Sequence, residues 1–281
     1  MTGGHGTAFG AGTVINAIAA WKGCAFSVDL KTEAEVVLGG DGIRGVIEGG
    51  GDTKLIERAC EIVLKRYNVD SGATIRTKSE IPIASGLKSS SAAANATVIA
   101  ALRALGKEMS PLDMVRVGVQ AALDAGVSIT GAFDDACASM LGGVVLTDNF
   151  ERRLLKRDSM RSGVVIYAPE KKVFSSQTDV KRSRVVAPWV EIAFDFAMRG
   201  QYEKAMTLNG FLYTHALGFS AEPMLVALEL GVRGVSLSGT GPSYVALASG
   251  EAADRLVKAW SAYPGRVIMT TVNDIGAYTL E

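Results

Sequence analysis

Apolar and polar positions alternate over residues 25–38, where Ala25, Val28, Leu30, Ala34, Val36 and Leu38 fall among Ser27, Asp29, Lys31, Glu33 and Glu35. A period of two predicts a half-buried strand, and the slip of one residue near Val28 predicts a bulge or bend in it. The preceding stretch, 6–19, is small and apolar, and residues 13–20 read as a short helix. Residues 39–41 read as a turn and 43–47 as a brief strand. The period changes after Asp52: Leu55, Ile56, Ala59, Ile62, Val63 and Tyr67 make a helical stripe with Asp52 placed to cap it.

Further along, 73–78 reads as a strand and 92–105 as an alanine-rich helix closed by Gly106. Ser110-Pro111 opens another helix, serine at the cap and proline in the first turn, running to about Ala125. Short apolar strands are predicted at 144–146 and 163–167, with a charged, solvent-facing stretch at 152–161 between them. The polar, basic stretch 169–184 reads as a loop or lid. Helices at 189–198, 202–213 and 221–230 follow, then strands at 234–238 and 244–248, a helix at 252–263 and a strand at 266–271. Strands and helices are mixed without a βαβ repeat, so the expected class is α+β.

Composition narrows the function classes. The chain has 281 residues, with 29 basic against 29 acidic, so no broad field attracts nucleic acid or an anionic membrane. No apolar run approaches the roughly 20 residues that cross a bilayer, and no export signal is visible, so cytoplasmic residence and no membrane partner are expected. Cys24, Cys60 and Cys137 are too widely spaced for a zinc or iron-sulfur site, and His5 and His215 are too few for a metal centre. The 32 glycines cluster at a few points, which suits close backbone approach to a phosphate or ordinary tight turns.

In Ile81-Pro82-Ile83-Ala84-Ser85-Gly86-Leu87-Lys88-Ser89-Ser90-Ser91-Ala92, proline sets the entry, glycine allows a tight turn, and three hydroxyls precede a long helix. The unpaired amides and the dipole at such a helix start attract an anion; a plain serine cap would look the same. Lys88 can neutralise a phosphate oxygen and Ser89 or Ser90 can cap the helix or reach Mg2+. The segment is neither a Walker loop nor a dinucleotide fingerprint. Gly239-Thr240-Gly241-Pro242-Ser243, between two apolar strands, is either a second phosphate-facing turn or a simple hairpin turn. Asp134 and Asp135 point in different directions, so one can face a cleft while the other caps a helix. Thr178, Asp179, Arg182 and Arg184 suit an anionic, hydroxylated substrate, or form a solvated basic loop.

Residues 82–92 resemble the central phosphate-loop motif of the galactokinase, homoserine kinase, mevalonate kinase and phosphomevalonate kinase (GHMP) superfamily, and Ser236-Leu237-Ser238-Gly239-Thr240-Gly241-Pro242-Ser243 resembles its C-terminal glycine motif. Within that superfamily the chain is similar to the archaeal-type shikimate kinases. The closer features are Gly10-Ala11-Gly12-Thr13-Val14-Ile15-Asn16-Ala17, Gly86-Leu87-Lys88-Ser89-Ser90-Ser91 and Thr130-Gly131-Ala132-Phe133-Asp134-Asp135-Ala136. The superfamily usually has glycine at Lys88 and alanine at Ser91, and the mevalonate kinase lysine has no clear counterpart, since Gly10-Ala11-Gly12 stands there.

The resemblance implies a two-part α+β fold, 1–150 with the phosphate loop and 151–281 with the glycine turn, and an active site between the parts. It implies ATP held by Pro82, Ser85, Gly86, Leu87, Lys88, Ser89, Ser90, Ser91, Ala92, Gly239, Thr240 and Gly241. The catalytic aspartate carries over to Asp134, with Asp135 open. Magnesium ligands carry over to Ser90 and Asp124, and substrate contacts to Asn16, Thr178, Asp179, Arg182, Asn209 and Ser243. The implied reaction is phosphorylation of the small molecule shikimate; a kinase for homoserine, mevalonate or a sugar, or a non-catalytic ATP-binding protein, are the alternatives.

Overall fold

Two antiparallel-dominated sheets carry the fold of the computed structural model, which describes residues 3–82, 85–128, 130–170 and 180–280. The first sheet has six strands: β1 (Gly3–Ile15), β2 (Lys22–Leu38), β3 (Ile43–Ile47), β4 (Ala73–Ser79), β5 (Val144–Asp148) and β6 (Arg153–Asp158). The order is β3-β4-β2-β5-β6, with β1 on the other edge of β2; only β3 and β4 run parallel. That pair is joined through α1 (Lys54–Arg66), the crossover a parallel connection needs. The second sheet, order β10-β7-β9-β8, comprises β7 (Gly163–Pro169), β8 (Gly234–Leu237), β9 (Tyr244–Leu247) and β10 (Gly265–Thr271).

The residue slip near Val28 appears as a register shift: Phe9 pairs with Lys31 but Gly10 with Val28, leaving Asp29 and Leu30 of β2 unmatched. The displaced Val28 bridges to Val272, tying the first sheet to the second. The short helix expected at 13–20 is not formed. Instead β1 runs on to Ile15, paired with Cys24, because burying Val14 and Ile15 against the second core outweighs weak local helix preference. The cap expected at Asp52 falls one residue later, at Thr53, while Asp52 accepts from the Lys54 amide.

The first core lies between this sheet and α1, α2 (Ser89–Leu105), α3 (Pro111–Asp124) and α4 (Phe133–Leu141). Helix α2 runs through its centre, which explains the alanines: a helix buried on most sides needs side chains small enough for neighbours to approach. The approach is closest at β1, where a Cβ on Gly4 or Gly6 would fall inside the radius of the α2 backbone at Ala100 or Ala96. Gly6→Ala is therefore expected to cost about 3 kcal/mol of stability, since backbone cannot move aside as a side chain can. Urea unfolding of the variant checks this. The second core packs α6 (Ala187–Met198), α7 (Tyr202–Leu217), α8 (Glu222–Glu229) and α9 (Gly250–Trp260) on the second sheet, with α5 (Val180–Arg184) beside α7. Among the described residues no helix is long and apolar enough to cross a membrane.

Candidate active site

The start of α2 is left open by its own sequence. Gly86 has φ +85° and Lys88, at the cap position, φ +68°, a left-handed conformation that costs a lysine about 1 kcal/mol. No side chain caps the helix. The strain is held by anchors on either side: Leu87 is buried in the core, its carbonyl accepts from the Ala11 amide at 3.2 Å, and Ser85 Oγ donates to Pro82 O at 2.7 Å. The outcome is an array of first-turn amides with Ser89, Ser90 and Ser91 beside them, Ser90 exposed and Ala92 buried below. Free amides and a helix dipole make an anion site.

The second glycine turn closes directly on this loop. Ser238 Oγ donates to Gly86 O at 2.9 Å, and the Ser243 amide to Ser85 O at 3.1 Å. A Cβ on Gly86 would overlap Ser238 O and sit 3.0 Å from Gly241 O; one on Gly239 would come 2.7 Å from Lys88 Nζ. Glycine is needed in both turns because two backbones and a lysine meet there. Thr13 Oγ1 accepts from the Gly239 amide at 2.8 Å, and Asn16 Nδ2 donates to Gly239 O at 2.7 Å.

On the other side, Lys88 Nζ lies 3.0 Å from Asp135 Oδ1, both side chains about nine-tenths buried. Asp134 and Asp135 stand in the first turn of α4, entered through Gly131 and Ala132 in positive φ, and every residue of that helix is buried. Burial, and then the negative charge of Asp134, push the Asp135 carboxyl up to about 7 against the pull of Lys88. Asp135 Oδ1 has no hydrogen bond beyond that ion pair. Asp134 is engaged elsewhere: Asn149 Nδ2 donates to its Oδ1 at 2.7 Å, and Gly23 of β2 leaves room for its carboxyl, which a Cβ would meet at 2.6 Å. Lys88 thus joins the open helix start, the second glycine turn and one of the two aspartates.

Several expected site residues lie differently. Asp124, expected to hold magnesium, accepts from Arg58 Nε at 2.6 Å and Gln120 Nε2 at 2.7 Å, so its carboxylate is already neutralised by a guanidinium. Asn16 and Asn209, expected on the substrate, face inward. The Asn16 backbone amide donates to Asn209 Oδ1 at 3.0 Å, and Asn209, fully buried, donates from Nδ2 to Ser236 Oγ at 3.4 Å. Tyr213 completes this group by donating to Asn16 O at 3.0 Å. Ser243 is also fully buried and joins the two turns through its backbone, while its hydroxyl has no hydrogen-bond partner among the described residues. Thr240 is buried within the turn. Arg182 donates to His215 O at the end of α7. Thr178 and Asp179, with most of the 169–184 stretch read as a lid, fall outside the described residues.

Asn149, Thr147 and Tyr213 take part without having been singled out from sequence, and Thr13 and Ser238 stood there only as members of longer motifs. Asp148-Asn149 after an apolar strand reads locally as a turn, and nothing in the spacing ties it to Asp134.

The model for GHMP kinases N terminal domain matches residues 54–143, and that for GHMP kinases C terminal matches 203–265. A shikimate kinase of Methanocella arvoryzae is 74% identical over 99% of this chain and 96% of its own; one of Methanosarcina acetivorans is 58% identical over 99% and 97%. Among solved structures, the mevalonate kinase of Methanococcus jannaschii superposes with a TM-score of 0.78 at 16% identity, covering 95% of this chain and 98% of that one. The homoserine kinase of Cytophaga hutchinsonii gives 0.71 at 22%, covering 97% and 96%. These two share the fold, while the near full-length identity to the first two fixes the branch: the chain belongs to the GHMP kinases, in the archaeal shikimate kinase family.

Proposed function

We propose that this chain transfers the γ-phosphoryl group of ATP to the 3-hydroxyl of shikimate, giving shikimate 3-phosphate and ADP. The observation that carries the chemistry is Lys88, placed between the uncapped start of α2 and the buried carboxyl of Asp135. The printed names of the close relatives supply the substrate.

In this reading the amides of residues 89–91 and the left-handed turn at Lys88 take the phosphates, and the paired glycine turns keep that surface rigid. Phosphoryl transfer asks mainly for positioning and charge neutralisation, and Lys88 offers the second to the transferring group. Leaving Asp135 for the phosphate, Lys88 exposes a carboxylate that accepts the proton of the attacking hydroxyl. A group titrating near neutrality is well matched to that task. Magnesium fits the local chemistry: Ser90 offers an exposed hydroxyl beside the first-turn amides of α2, where a polyphosphate is to enter. Among the described residues no group of three or more His, Cys, Asp or Glu makes a cage, so phosphate oxygens and water would supply most of its ligands, with Ser90 beside them. When bound, the ion offsets charge on the β- and γ-phosphates.

ADP release with Mg-ATP is expected for shikimate and not for homoserine, mevalonate or galactose. Turnover of one of those three in place of shikimate would overturn the substrate assignment. Read against pH, kcat for shikimate is expected to fall about tenfold for each unit below about 7, as Asp135 takes up a proton. A profile flat from pH 5 to 8 would remove Asp135 as the acceptor.

A further inference from the structure

Asp134 is the end of a buried hydrogen-bond chain that the phosphate-transfer chemistry alone does not require. Thr147, fully buried in β5, donates from Oγ1 to Asn149 Oδ1 at 2.7 Å, and Asn149 Nδ2 donates to Asp134 Oδ1 at 2.7 Å. Asn149 is itself 2% exposed, and its amide nitrogen donates to Trp21 O at 2.8 Å. The direction of the chain is set by counting protons. Thr147 has one to give, and the alternative acceptor, Gly23 O, is 3.4 Å away. With its oxygen occupied by that donor, the Asn149 amide turns its NH2 toward Asp134, which must accept.

We propose that Asn149, oriented by Thr147, is a positioning residue that fixes the direction of Asp134 beside the proton acceptor Asp135. The inference rests on the reading of Asp135 given above. The charge of Asp134 is felt by Cys24 on β2, Cys137 one turn along α4, Tyr213 on α7 and Asp135 itself. The cation of the cluster, Lys88, pairs with Asp135. The charge of Asp134 is among the causes that raise Asp135, and the donor from Asn149 holds the Asp134 carboxylate in its place beside it.

The sign of the test follows. Asn149→Leu keeps the volume but removes the donor that holds the Asp134 carboxylate beside Asp135, so Asp134 raises the Asp135 carboxyl less. Asp135 then stays ionised to lower pH, and the acid limb of kcat moves down by about one pH unit. Thr147→Val is expected to move it the same way by a smaller amount, and Thr147→Ser to restore it. KM for ATP should change less than twofold in all three. A purely structural role would lower kcat or stability and leave the limb in place. An unmoved limb in both Asn149→Leu and Thr147→Val, with Asp135→Asn still inactive, overturns this inference and leaves the proton-acceptor reading standing. Full activity in Asp135→Asn overturns that reading, and this inference with it. Thr147→Val decides the matter alone if Asn149→Leu does not fold.

Discussion

Asp135→Asn is expected to lower kcat about a thousandfold while the Kd for ATP stays within about threefold. Asparagine keeps the shape and removes the lone pair that accepts the proton, whereas nucleotide affinity comes from the amides of α2 and the paired glycine turns. Asp134→Asn is the necessary comparison. It removes a neighbouring charge and should cost much less, with its acid limb displaced downward because the charge that raises Asp135 is gone. The reverse order of losses would assign the proton acceptor to Asp134. Stability offers an independent reading of the same residue. With its carboxyl raised from the ordinary 3.8 to about 7, folded protein binds more protons than unfolded between those values. Wild type therefore loses stability as the pH rises from about 4 to about 7, and the gain of Asp135→Asn in Tm over wild type should grow across that window and level off above it. A Tm difference independent of pH from 4 to 8 would contradict it.

Gly86→Ala has the second large effect, and it acts through backbone. Its φ of +85° is strained for alanine, and the added Cβ would overlap Ser238 O while lying 3.0 Å from Gly241 O. Neither carbonyl can retreat freely, because Ser238 accepts from the Gly241 amide at 2.9 Å and its amide is bound to Ser243 O at 2.8 Å. Forcing the two turns apart is expected to cost about 3 kcal/mol of stability and to raise KM for ATP at least tenfold, to order of magnitude. Gly106→Ala isolates the conformational part. Gly106 also has positive φ but open space around its Cβ position, so that change should cost about 1 kcal/mol and leave KM for ATP alone. Similar losses in both variants would mean that the approach of the two turns does not matter for the nucleotide.

What was legible in the sequence is what local chemistry controls. Period-two alternation located β2 and its irregularity, the Ser110-Pro111 pair located the start of α3, where Ser110 Oγ accepts from the Asp113 amide, and Gly106 located the end of α2 in left-handed conformation. The two glycine turns and the adjacent aspartates were visible for the same reason, since special φ values and adjacent carboxyls are written in consecutive residues. Local preference failed at residues 13–20, where pairing with β2 and burial against the second core made strand and turn instead of helix.

The roles of individual polar residues depended on distances that no spacing encodes. Asn16 and Asn209 look equally suited to a ligand or to the interior, and the tertiary structure directs them inward, to each other and to Gly239 and Ser236. Asp124 met Arg58 from a helix 66 residues away. Lys88, read in sequence as a departure from the usual glycine that could neutralise a phosphate oxygen, gained a carboxylate partner when α4 brought Asp135 to 3.0 Å. By itself the chain determined most of the elements, where α2 starts and the family, because backbone preference and hydrophobic period act over a few residues. Only the folded structure decided which carboxylate meets the lysine and which is held by Asn149, because electrostatic and hydrogen-bond partnerships act through space and are set by which strands and helices pack together.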